Sequence, residues 1–78
     1  MNKVIAFQHT SDQLLARIAD RKHSLSVRIK VLGSLCEYVA RLKGELPPNE
    51  VEWLSAIQQF MNDLLMVREL IDKEVNEL

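Results

Sequence analysis

Three side chains in this sequence are able to bind a soft metal ion: His9, His23 and Cys36. None stands three or four residues from another, so the convergent donors of a zinc site are not assembled. No metal and no cofactor are expected. Cys36 falls on an apolar helix face and reads as a small core residue, not a nucleophile. Carboxylates recur at Glu50 and Glu52, at Glu69 and Asp72, and at Asp72 and Glu74. Their spacing suits a solvated helix face, and nothing nearby suggests a pocket for acid–base work. Gly33 and Gly44 are the only glycines, too few and too far apart for a phosphate-cradling loop. The chain is therefore read as non-enzymatic.

The cations suggest a different chemistry. Lys3, Arg17, Arg21, Lys22, Arg28, Lys30, Arg41 and Lys43 precede Gly44, against Asp12, Asp20 and Glu37. After Gly44 the balance reverses. Glu45, Glu50, Glu52, Asp63, Glu69, Asp72, Glu74 and Glu77 face only Arg68 and Lys73. Arg17, Arg21, Lys22 and Arg28 are candidate nucleic-acid contacts. They are spread around a helix with no aromatic residue among them for base stacking. The acidic half would also cancel much of their field, and the net charge is −1. Nucleic-acid binding is thus the alternative, not the leading expectation.

The charge reversal coincides with the one helix-breaking cluster, Gly44-Glu45-Leu46-Pro47-Pro48. A basic and an acidic segment joined by a short turn predict an all-α, two-helix antiparallel hairpin. Residues 1–9 are expected as an arm, loose by default. Thr10-Ser11-Asp12-Gln13 matches a capping box, so helix 1 is expected over about 11–43. The turn takes 44–48, and helix 2 runs over about 49–77, begun by Pro48 or capped by Asn49. Apolar periodicity supports both helices. Helix 1 carries Leu14, Ile18, Leu25, Leu32, Leu35, Val39 and Leu42, with Arg21 and Arg28 on the same ladder. Helix 2 carries Leu54, Ile57, Met61, Leu64, Arg68, Ile71, Val75 and Leu78. Asp20-Arg21-Lys22-His23-Ser24 is polar throughout and could be a hinge capped by Ser24. A continuous helix is preferred, because the hairpin register then sets Arg21 and Lys22 opposite Asp72 and aims Arg28 toward Glu69.

Seventy-eight residues make one small domain with a marginal core. A single cysteine cannot form an internal disulfide. No stretch has the length of a membrane span or the apolar core of a signal peptide, so a cytoplasmic protein is expected. The apolar surface nevertheless exceeds what two helices can hide. Trp53, Phe60 and Val67 recur every seven residues beside the helix 2 ladder, and Leu64-Leu65-Met66-Val67 is apolar on every side of a turn. On helix 1, Ala19, Ser26, Gly33 and Ala40 form a stripe of small residues beside Ile29 and Cys36. These extra stripes predict a homodimer forming a four-helix bundle, with one further protein partner and no membrane partner. The candidate interface is Ile29, Gly33, Cys36, Ala40, Trp53, Phe60 and Val67.

Val31-Leu32-Gly33, followed by Gly44, Asn49 and Leu54-Ser55, resembles the small two-component connector proteins of the biofilm-regulator type. Trp53 just after the turn is similar to type III secretion needle co-chaperones. Both resemblances imply small bacterial or phage helical proteins that bind another protein and alter its activity. Neither carries a residue's role across to this chain. The expected function is a non-catalytic interaction module, an adaptor, chaperone or inhibitor acting through apolar helix faces.

Overall fold

The computed structural model describes residues 2–78 and contains three helices: α1 (Lys3–Ala19), α2 (Leu25–Glu45) and α3 (Val51–Glu77). The all-α class holds, but the two-helix hairpin does not. The expected first helix is divided at Asp20–Ser24, where the polar residues satisfy the backbone locally. The Asp20 carboxylate accepts the Lys22 N–H at 3.0 Å. The Ser24 hydroxyl accepts the Val27 N–H at 3.3 Å and caps α2. The hinge that the sequence left as second choice is the one formed.

Of the stretch expected as a loose arm, residues 3–9 belong to α1 and Asn2 is its cap, while Met1 lies outside the described residues. Asn2 caps this helix by accepting the Val4 N–H at 2.9 Å. Thr10 is consequently mid-helix and caps nothing. Ser11 instead donates its hydroxyl to the Phe7 carbonyl at 2.7 Å, one turn back. The early start of α1 has a packing reason. Phe7 meets Trp53 and Phe60 edge-on, with ring centroids 5.6 and 5.7 Å apart.

The same contact sets the topology. Phe7 lies beside the N-terminal half of α3, while the end of α1 reaches Glu74 through Arg28. Helices α1 and α3 are therefore parallel, with α2 antiparallel to both. The bundle measures 45 × 24 × 16 Å, and α3, about 40 Å long at 1.5 Å per residue, spans its long axis. Glu50 N–H bonds the Pro47 carbonyl at 3.1 Å in the second turn, and α3 begins only at Val51.

The core joins Leu15 and Ile18 of α1, Leu32 and Val39 of α2, and Ile57, Phe60, Leu64, Val67 and Ile71 of α3. Each such side chain contributes about 1.5–3 kcal/mol of burial. Helix α3 supplies two stripes. Ile57, Leu64 and Ile71 belong to the expected ladder; Phe60 and Val67 belong to the extra one. The fold-back of α1 supplies cover for the second stripe within the chain. No helix among the described residues is long and apolar enough to cross a membrane.

Candidate interaction surfaces

The turn between α1 and α2 is held by Arg28, a charged side chain only 3 % exposed. Its Nε donates to the Ile18 carbonyl and its Nη2 to the Ala19 carbonyl at 3.5 Å, so it caps the open end of α1. Its Nη1 and Nη2 also grip the two carboxylate oxygens of Glu74 at 2.9 and 2.6 Å. The hydrogen bond from Arg28 holds the Glu74 carboxyl below its ordinary range, against the opposing effect of burial. The Arg28 and Arg21 charges add to that lowering. Glu74 in turn raises Arg28, again against burial. Arg21 approaches Glu74 at 3.6 Å and Glu77 at 3.4 Å, largely in solvent.

These pairings correct the hairpin register, which set Arg21 opposite Asp72 and Arg28 toward Glu69. They also change which cations are available. Arg28 is consumed internally and offers nothing to a nucleic acid. Arg17, Arg21 and Lys22 remain exposed at the end of α1 and in the turn.

The candidate interface divides in the same way. Phe60 and Val67 are core residues, and Trp53 is half-buried against Phe7. Ile29, Gly33, Cys36 and Ala40 are exposed along one flank of α2. Cys36 is thus a surface thiol and not the core residue expected. His9 lies against Gln13 at 3.3 Å, and His23 sits in the turn.

Two openings run beside α2. On its α1 side, Leu14, Ile18, Val27 and Val31 wall a groove of about 250 Å³, with Arg17, His23 and Arg28 also lining it. On its α3 side, Cys36, Val39, Met61, Leu64, Leu65 and Arg68 line a second of about 130 Å³. Comparison with protein-family models, curated proteins and solved structures gives no match. The surface itself is then the guide to function.

Neither Val27 nor Val31, which are 55 % and 38 % exposed, is among the interface residues expected from the sequence. Both lie off the apolar ladder of the first helix, and only the position of α1 makes them a groove wall. Arg28 did carry a signal. A cation on an apolar ladder must find partners when it is buried.

Proposed function

We propose that this protein is a non-catalytic interaction module that seats an amphipathic helix of another protein in the α1/α2 groove. The observation that carries the reading is that groove. Leu14, Val27 and Val31 leave apolar surface open there beside the buried Ile18. A helix presenting apolar residues at i, i+3, i+4 and i+7 matches such a surface. Arg17, exposed near the end of α1, lines the groove and favours a partner helix with an acidic flank. Occupying that helix would shield or stabilise it, as an adaptor, chaperone or inhibitor does.

A photo-crosslinking residue at position 31 tests this. The expected product is one defined partner, whose purified form binds the intact chain. Val31→Asp should weaken that binding by about tenfold or more without lowering the melting temperature. Crosslinking that never yields a reproducible partner defeats the reading. A duplex mobility shift in the micromolar range at about 150 mM salt, lost on Lys22→Ala, would replace it with nucleic-acid binding.

A further inference from the structure

The other flank of α2 carries a second seam. Ser26, Ile29, Gly33, Cys36 and Ala40 follow one another at alternating steps of three and four residues. That spacing marks a face able to pack along another helix. All five are exposed, and Ile29 is 45 % exposed. Leu65 of α3, 57 % exposed, and the α3-side cavity adjoin this seam at Cys36. The core uses the neighbouring ladder, with Leu32 and Val39 buried and Leu25, Leu35 and Leu42 partly buried, so the seam has no partner among the described residues.

Charge selects the occupant. Lys30 and Glu37 border the seam on the edge away from α3, one charge on each side of Gly33 along the helix. Among the described residues, neither belongs to an ion pair. We propose that this face pairs with the same face of a second copy, α2 against α2 antiparallel, about a two-fold axis beside Gly33. The two-fold brings Lys30 of each copy to Glu37 of the other, forming two reciprocal ion pairs. A parallel pair would place these edges on opposite sides of the contact, where they could not meet. A two-fold contact of this kind is closed and self-complementary.

Gly33 fits the crossing point. A Cβ built there meets nothing within 4 Å among the described residues, so no contact among them calls for glycine. Two backbones crossing closely would call for it. The pairing rests on the reading of exposed helix faces as contact surfaces, but it uses the flank of α2 away from the α1/α2 groove.

Sedimentation equilibrium of the intact chain should give twice the 9.0 kDa chain mass. Lys30→Glu and Glu37→Lys should each weaken self-association by about tenfold or more, because each sets like charges together. Mixing these two variants should restore a dimer containing one of each, since every facing pair is then opposite in sign. Gly33→Leu should give a folded monomer. A wild-type monomer at every concentration overturns the proposal. So does a dimer indifferent to the single charge reversals, or a mixture that fails to recover. None of those results touches crosslinking at position 31, which reads a different face of α2.

Discussion

Arg28 and Glu74, 46 positions apart in the chain, meet through two hydrogen bonds of 2.9 and 2.6 Å. The same guanidinium holds the last carbonyls of α1. One side chain therefore ties the end of α1 and the start of α2 to the end of α3. A carboxylate and two backbone carbonyls satisfy its donors, which is the condition for keeping a buried cation.

Arg28→Ala should leave the Glu74 charge with only the exposed Arg21 beside it and open the end of α1. The melting temperature should fall by on the order of 10 °C. Thermal unfolding followed by circular dichroism checks this, and a fall of only a degree or two would show that the clasp is not needed.

Glu74 also predicts acid sensitivity. Its carboxyl lies lower in the folded chain than its ordinary value of 4.5, so its contribution is complete above that pH. The contribution is lost as pH falls through the lowered folded value. A series of melts from neutral pH to below 4 should show this loss, with a smaller pH dependence in Glu74→Gln. Equal dependence in the two proteins would place the acid response in other carboxylates.

Asp72→Lys provides a contrast. Asp72 is exposed and belongs to no ion pair among the described residues. Its replacement should change stability by no more than about 0.5 kcal/mol. A large loss in chemical denaturation would restore the pairing of Asp72 with Arg21 and Lys22 that the hairpin register called for.

Phe7→Ala should remove the aromatic contact that seats α1 on Trp53 and Phe60. The expected cost is on the order of 2–3 kcal/mol, below the range for a fully buried Phe. Tryptophan emission should shift to the red as Trp53 gains water. An unchanged spectrum and stability would describe a loose N-terminal arm in place of a docked helix.

Ser24→Ala should cost about 1 kcal/mol through loss of the α2 cap, with Ser24→Asp retaining most of the stability. Amide exchange at Val27 provides the local reading. Protection of residues 21–24 as strong as that of mid-α2 would indicate one continuous helix through the turn.

Helical content, the boundary near Pro47 and the apolar ladder of α3 were legible from the amino-acid order, because periodicity and turn chemistry are local. The surplus of apolar stripes was legible too, and it required cover from somewhere. Phe60 and Val67 show why its source was not. A seven-residue stripe looks the same whether α1 or a second chain lies against it. Asp20–Ser24 was equally undecided at short range, since its residues suit either a helix or a capped turn. Three-dimensional packing settled both questions together. Turning back at Asp20 lets Phe7, Leu15 and Ile18 pack with α3 and gives Arg28 its carbonyls and Glu74. The same turn creates the α1/α2 groove, a surface that belongs to no single segment.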